Sequence, residues 1–378
     1  MFGLEEVLAT ELKNLGAQDV KLGVRSVSFK GDKGFMYKAN IALRTAIRIL
    51  KPIKSFKVFD EEDLYEGLQK IKWEQYMQAS NTFAIGAVVN SKFFTSNSHY
   101  ISLKSKDAIA DYFRHKFHKR PNVDLKHPDL KIHVHIQKDT CTVSLDSSGD
   151  SLHKRGYRTA TNIAPINEVL AAGLVLLSGY KGQTNFIDPM CGSGTILIEA
   201  TMIACNIPAN INRPEFGFEK WDDYDEDLYF TIQDSLLKKI VNPQHKIMGF
   251  DKAPSAIRKA NDNIKSANLS EFIGVHHVNF FNSVKEVFGP TTVLFNPPYG
   301  ERLSIDVEPF YGKIGDTLKH GYPDSTVWFI TSDIEALKHV GLRTSKRISL
   351  KNGDLDAKFV RYDMYEGSRK AKKNPSNN

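Results

Sequence analysis

The residues of this chain best suited to chemistry are Asn296-Pro297-Pro298-Tyr299-Gly300, which directly follow the apolar run Thr292-Val293-Leu294-Phe295. A short β-branched and aromatic run stopped by two prolines predicts a buried strand ending in a rigid loop. Each proline biases the residue before it toward extended backbone, and neither has an N–H to donate. The loop therefore offers acceptors, the Asn296 side-chain oxygen and the Pro297 carbonyl, beside the flat ring of Tyr299. Two acceptors and a stacking face suit the exocyclic amine of a planar base, and so suit methyl transfer to an amino nitrogen. The same residues also make a rigid turn that closes any strand, and the elements around them have to decide.

A second group of residues lies upstream. Asn185-Phe186-Ile187-Asp188-Pro189-Met190-Cys191-Gly192-Ser193-Gly194-Thr195 leads into an apolar stretch through Ala204. It reads as strand, glycine turn and helix, and Gly192 and Gly194 allow a ligand to approach the backbone closely. The fuller Gly-x-Gly-x-x-Gly of dinucleotide folds is absent, as is any Gly-Lys-Ser/Thr phosphate loop, which disfavours nucleoside triphosphate hydrolysis. The next strand, Lys246 to Phe250, ends at Asp251, where nucleoside-cofactor folds place the acid that binds ribose hydroxyls. Between them lies an insertion with Asp222, Asp223, Asp225, Glu226 and Asp227, read as the acidic start of a helix. A third strand, Gly274 to Val278, ends in Asn279-Phe280. Strand ends at 188, 251, 279 and 296 are thus expected along one edge, where open α/β sheets bind ligands.

The elements that must carry these groups follow from length and pattern. A chain of 378 residues predicts two or three domains, and 41% hydrophobic with 25% charged residues is ordinary for a soluble globular protein. No apolar stretch is long enough to span a membrane, and Met1-Phe2-Gly3-Leu4-Glu5-Glu6 is not a secretory signal. Cys141, Cys191 and Cys205 form no disulfide framework, which fits a reducing, cytoplasmic setting. The formal charge of +7 leans toward an anionic partner.

Leu4, Val7, Leu8, Leu12 and Leu15 predict a helix stopped by Gly16, followed by a strand over Val24–Phe29 and a second helix from about Phe35 to Leu50. A strand is expected ahead of the first helix and none stands there. From Ile41 to Phe59 the cations Arg44, Arg48, Lys51, Lys54 and Lys57 occur without an acid. Helical spacing puts Arg44, Arg48 and Lys51 on one face, as phosphate contacts or as a plain solvated stripe. A helix around Ser105–Phe117 ends in a basic cluster that the helix dipole alone explains. Strand Lys131–Ile136 sets His133 and His135 on one face, but with Cys141 they match no zinc spacing, and no metal is expected. The basic segment His153-Lys154-Arg155-Gly156-Tyr157-Arg158 then leads through a linker to a helix beginning near Asn167.

Taken together, Asp188-Pro189-x-Cys191-Gly192-Ser193-Gly194 and Asn296-Pro297-Pro298-Tyr299-Gly300-Glu301-Arg302 resemble the class I S-adenosylmethionine-dependent amino methyltransferases. With Ser144 to Asp150 and Leu152 to Arg158 upstream, the chain is similar to the THUMP-domain guanine-N(2) methyltransferases of large-subunit ribosomal RNA. The resemblance implies a ferredoxin-like region over 1–50, an RNA-binding THUMP domain over 51–150, a linker over 151–164, a Rossmann-like domain with a seven-stranded, mostly parallel sheet over 165–368, and a basic tail over 369–378. It implies that Asp188, Gly192 and Gly194 hold the methionine end of S-adenosyl-L-methionine and Asp251 its ribose hydroxyls, that Asn279 and Phe280 lie beside its adenine, and that Pro189 and Thr195 also belong to the cofactor site. Asn296, Pro297, Pro298 and Tyr299 become the catalytic loop, and Arg44, Arg48, Lys51, Lys154, Arg155, Arg158 and Arg302 candidate RNA contacts. The implied substrate is 23S rRNA or a large-subunit assembly particle. Two readings stay open beside it: a tRNA guanine or adenine 6-amino methyltransferase, and a non-catalytic RNA-binding assembly protein that keeps the fold.

Overall fold

A computed structural model describes residues 1–94, 96–159, 165–298 and 306–365. Helix α1 (Glu5–Leu15) ends at Gly16 in the left-handed region and is followed by the antiparallel hairpin β1 (Gln18–Gly23) and β2 (Ser26–Lys30). Helix α2 (Lys33–Ala42) is capped by Asp32, whose carboxylate accepts the Phe35 N–H at 2.7 Å.

The helix expected to run to residue 50 stops at Ala42. Leu43 is already extended, and Leu50–Lys57 form an edge strand, β3. Pro52 sits at a register shift in that strand, the kind of position where a sheet tolerates a residue without an N–H. Lys51 therefore belongs to a strand and shares no helical face with Arg44 and Arg48.

Helix α3 (Glu61–Gln69), β4 (Thr82–Asn90), α4 (Ser98–Phe117), β5 (Asn122–Val123), β6 (Leu130–Gln137) and β7 (Thr140–Asp146) complete this unit, with sheet order β3-β7-β6-β4-β5. Strand β6 alternates as a half-buried strand should: Leu130, Ile132, Val134 and Ile136 enter a core with Leu64, Leu68, Ile109 and Phe113 of the two helices. His133 and His135 take the other face. Burial and the nearby Arg48 charge hold the His133 imidazole down at about 4, so it is neutral near pH 7. No cluster of three or more metal-ligating side chains forms among the described residues.

The remaining elements are α5 (Glu168–Leu177), β8 (Asn185–Asp188), α6 (Thr195–Ala204), α7 (Glu226–Leu237), β9 (Ile247–Asp251), α8 (Pro254–Ser266), β10 (Ile273–His277), β11 (Thr291–Phe295), α9 (Val307–Gly321), β12 (Ser325–Thr331), β13 (Lys346–Asn352) and β14 (Leu355–Asp363). Their sheet runs β10-β9-β8-β11-β12-β14-β13, with β14 antiparallel to both neighbours and the other pairs parallel. Every residue of β11 is buried, as a central parallel strand covered on both faces requires. The strand order turns back at β8, which has β9 on one side and β11 on the other, so the ends of β8, β9, β10 and β11 open on one edge at a topological switch point.

The two halves interlock. Phe216, Phe218, Trp221, Tyr229 and Leu236, all from the insertion between α6 and β9, are buried in the N-terminal core, and Tyr37 of α2 stacks on Phe218 at 4.4 Å. The acidic run in this insertion is a helix start, with the Asp225 side chain accepting the Leu228 N–H. In return Leu4, just ahead of α1, is buried in the core of the large sheet, where a Cβ on Gly173 would lie 2.5 Å from it. Among the described residues no helix is long and apolar enough to cross a membrane.

Candidate active site

The edge is built first from the turn after β8. Gly192 (φ 55°) and Gly194 (φ 81°) both lie in the left-handed region, and Gly194 is the residue ahead of α6. Two acids brace this turn. Asp251, at the end of β9, accepts the Gly192 N–H on one oxygen at 3.0 Å and the Ala253 N–H on the other at 2.9 Å. Its carboxylate remains partly exposed, with lone pairs free for further donors. Asp188 accepts the Met190 N–H at 3.1 Å but is only 1% exposed. Burial, with the Asp251 charge adding to it, raises its carboxyl well above the usual range. Asp188 thus sits beneath the turn and shapes it, whereas Asp251 faces the open edge. Gly249 of β9 makes room for α6, since a Cβ there would meet Leu197 Cδ1 at 2.3 Å. Burial also pushes the Cys191 thiol well up, which makes it a poor nucleophile.

Farther along, Asn279 is exposed, and its side chain accepts the Phe281 N–H at 3.2 Å to cap a short 3-10 turn. The Phe280 ring is buried against Phe295 and Tyr322, so this residue can meet a ligand through its main chain.

Beyond β11, Asn296 Oδ1 is buried with no hydrogen-bond partner among the described residues, and Pro297 is buried beside it. Tyr299 and Arg302 lie outside the described residues. Buried side-chain acceptors are nearly always paired, so this oxygen at the end of β11 keeps an open valence that no described residue fills.

Two residues that sequence reasoning did not single out tie the linker to the glycine turn. Asn263 of α8 donates to the Ser193 carbonyl at 3.0 Å and accepts the Thr159 N–H at 3.0 Å. It was legible as a polar residue on the stripe that also buries Ala256 and Ala260. Glu168 pairs with Arg158 at 2.7 Å, while Arg158 donates to the Ile166 carbonyl and to the Thr195 hydroxyl at the start of α6. Arg158 is therefore engaged within the chain.

The expected RNA contacts divide sharply. Arg44 is buried and donates to the Met202 and Ile207 carbonyls. Arg155 is fully buried; it pairs with Glu199 at 3.3 Å and donates to the carbonyls of Leu152 and Arg44 and to Asn210. Neither guanidinium reaches solvent, so the expectation that these two touch RNA is wrong: both fasten the halves of the protein together. Arg48 pairs with the buried Asp146 at 2.9 Å and is half exposed. Lys51 sits over the Trp221 ring and Lys154 pairs with Asp150, both with accessible heads.

This strand order, with a glycine turn after β8 and acids closing β8 and β9, defines a class I methyltransferase domain, whose cofactor is S-adenosylmethionine. The chain belongs to the RMKL-like methyltransferase family: residues 155–361 match that family's methyltransferase domain, 58–146 a THUMP domain and 1–50 the RlmL ferredoxin-like domain. A relative from Synechocystis sp., named "Putative RNA methyltransferase slr0064", is 35% identical over 366 residues, covering 96% of this chain and 95% of that one. The crystal structure of SMU.472 complexed with SAH aligns with a TM-score of 0.86 at 31% identity, covering 97% of each chain. A Listeria monocytogenes structure described as a "predicted N6-adenine-specific DNA methylase" aligns at 0.84 and 30% identity, covering 96% of this chain and 94% of the other.

Proposed function

We propose that this protein transfers a methyl group from S-adenosylmethionine to the exocyclic 2-amino group of a guanosine in large-subunit (23S) ribosomal RNA, in the cytoplasm. The observation that carries the amine assignment is the buried Asn296 acceptor at the end of β11, which has no partner among the described residues.

The edge fits the cofactor. Asp251 keeps acceptor capacity for ribose hydroxyls, and the glycine turn ahead of α6, with Gly192 and Gly194 in the left-handed region, lets a ligand approach the backbone closely where the methionine end would lie. Asn279, at the end of β10, would meet the adenine, with Phe280 contributing main chain. Asp188, Pro189 and Thr195 serve by holding the turn. When bound, the cofactor supplies an electrophilic methyl carbon on a sulfonium.

The chain's own residues prepare the nucleophile. An aromatic amine is a weak nucleophile because its lone pair is delocalised into the ring. Asn296 Oδ1 and the Pro297 carbonyl each accept one of its N–H groups, which favours a pyramidal nitrogen with a localised lone pair. The rigid Pro297-Pro298 backbone holds both acceptors in fixed positions, and such preorganisation lowers the barrier. A base drawn out of a helix costs a few kcal/mol of unstacking, which contacts in the site must offset.

RNA as the carrier is supported by the THUMP domain, the +7 charge and the relative named as an RNA methyltransferase. The choice of 23S rRNA and of guanine extends the likeness to the THUMP-domain family. The adenine 6-amino group is the second reading, because the same two acceptors serve either amine and the Listeria neighbour carries that description. The test incubates the protein with labelled cofactor and separate rRNA and tRNA pools, then identifies nucleosides by mass spectrometry. N2-methylguanosine confined to large-subunit rRNA is expected; methylated adenosine without methylated guanosine overturns the guanine assignment.

A further inference from the structure

Two cavities lie end to end between the THUMP unit and the methyltransferase edge, and the proposed function assigns neither. One, of about 440 Å³, is bounded by His153 to Gly156 and Arg158 of the linker and by Pro165 to Glu168. It reaches the glycine turn through Arg158, which donates to Thr195 at the start of α6. The other, of about 320 Å³, lies where the loop before β6, the turn after β7 and the insertion segment 213–220 meet. Lys154 and Gly156 line both, so the two adjoin each other.

The walls are fixed. A Cβ on Gly156 would lie 2.0 Å from the Asn212 carbonyl oxygen, and one on Gly217 would lie 2.7 Å from the Gly149 nitrogen. The backbones of THUMP unit, linker and insertion therefore touch directly. Arg213 locks the same junction by donating to the carbonyls of Ser148, Asp150, Ser151 and Lys154 while stacking on Phe216.

The charge is unbalanced. With Arg155 and Arg158 set aside, since Glu199 and Glu168 neutralise them, five Lys and Arg residues line the two cavities against three Asp and Glu, and Lys220 pairs with Glu215 at 3.4 Å. Asp150 alone serves both Lys131 and Lys154, each at 3.0 Å. Arg213 has carbonyl partners but no ion pair among the described residues, and exposed Lys126 at the outer rim has none either. An open, rigid, cationic passage that begins on a THUMP unit and ends beside the cofactor turn fits an extended polyanion better than a compact ligand.

We propose that a single strand of the RNA substrate crosses from the THUMP domain to the methyltransferase edge through this passage, with its phosphates on Lys126, Lys131, Lys154 and Lys220. This rests on the RNA methyltransferase reading above and adds the path of the strand. It replaces Arg44 and Arg155, which are buried, with cations that solvent can reach.

The test titrates the full chain with a short labelled oligouridylate and with a large-subunit rRNA transcript over a range of salt. The Lys126→Glu/Lys154→Glu variant is expected to bind both RNAs at least about tenfold more weakly, with the salt slope reduced by about 0.7 for each single-strand phosphate that is no longer neutralised. Its affinity for S-adenosylhomocysteine should match the parent's. Lys126→Ala, at an exposed and unpaired side chain, repeats the test where misfolding is not an issue, with a smaller loss in the same direction. Lys57→Glu, at the opposite end of the THUMP sheet, should bind RNA as the parent does. Unchanged RNA affinity in the first two variants, or an equal loss in Lys57→Glu, overturns the path and leaves the enzyme reading standing. Failure of the parent to bind either RNA while it binds S-adenosylhomocysteine overturns the RNA reading itself, and the path with it.

Discussion

The domain junction and the open sheet edge are built from the same polar residue types, and the two regions use them in opposite ways. At the junction, Arg155, Glu199, Tyr157 and Asn210 face one another across the interior, and most of their hydrogen-bonding capacity is used within the chain. Of the atoms left over there, Arg44 Nη1 and Glu199 Oε2 belong to opposite charges in a single network. At the edge, Asp251 stays partly exposed and the buried Asn296 oxygen has no partner among the described residues, so each keeps acceptor capacity unused. Burial and charge alone do not separate structure from site. What separates them is whether the missing partner can come from inside the protein.

That contrast breaks most visibly at Arg155. Arg155→Met leaves Glu199 as a buried anion without its cation, and should lower unfolding stability by about 3–5 kcal/mol, measured by denaturant titration. The double variant Arg155→Met/Glu199→Met removes both charges and should recover most of that loss. If single and double variants are equally damaged, the pair contributes shape rather than charge compensation.

Asn296→Ala is the matching cut at the edge. It removes an acceptor that no described residue uses, so melting temperature and S-adenosylhomocysteine affinity should stay at parental values. Turnover should fall by about 10²–10³, the usual cost of one preorganised polar contact to a reacting group. Full turnover in Asn296→Ala with normal cofactor affinity refutes the role given to this oxygen.

The edge could be read from sequence because its signals are local. A strand, a glycine turn and an acid at the next strand end lie within short windows around Asp188, Gly192, Gly194 and Asp251, and the prolines at 297 and 298 mark their own strand end. The junction could not be read this way. Arg44 and Arg155 stand in basic stretches that look like surface, and their partners Met202, Ile207, Glu199 and Asn210 are remote in sequence. Periodicity also misled between Leu43 and Leu50, where a helical pattern continued past the true end of α2 because pairing of β3 with β7 outweighs local propensity. The insertion was legible as a helix start at Asp225, yet its role in burying Phe218 and Trp221 against α2 is a tertiary fact with no local signature.

The smallest effect sharpens the comparison from the solvent side. Glu74 accepts hydrogen bonds from Lys116 at 2.6 Å and from the Tyr112 hydroxyl, a cation and a phenol on one carboxylate much as Glu199 has Arg155 and Tyr157, but at the surface. The bond from Lys116 first, and that from Tyr112 second, hold the Glu74 carboxyl down at about 2 against an ordinary 4.5. Because the folded value lies below the ordinary one, the interaction stabilises the protein fully above pH 4.5, and the gain is lost as pH falls toward 2. Solvent screens this site, so Glu74→Gln should lower the melting temperature near pH 7 by only about one degree. That gap should close as melts are repeated down toward pH 2. A gap at neutral pH as large as that of Arg155→Met would mean that burial is not what separates the two clusters.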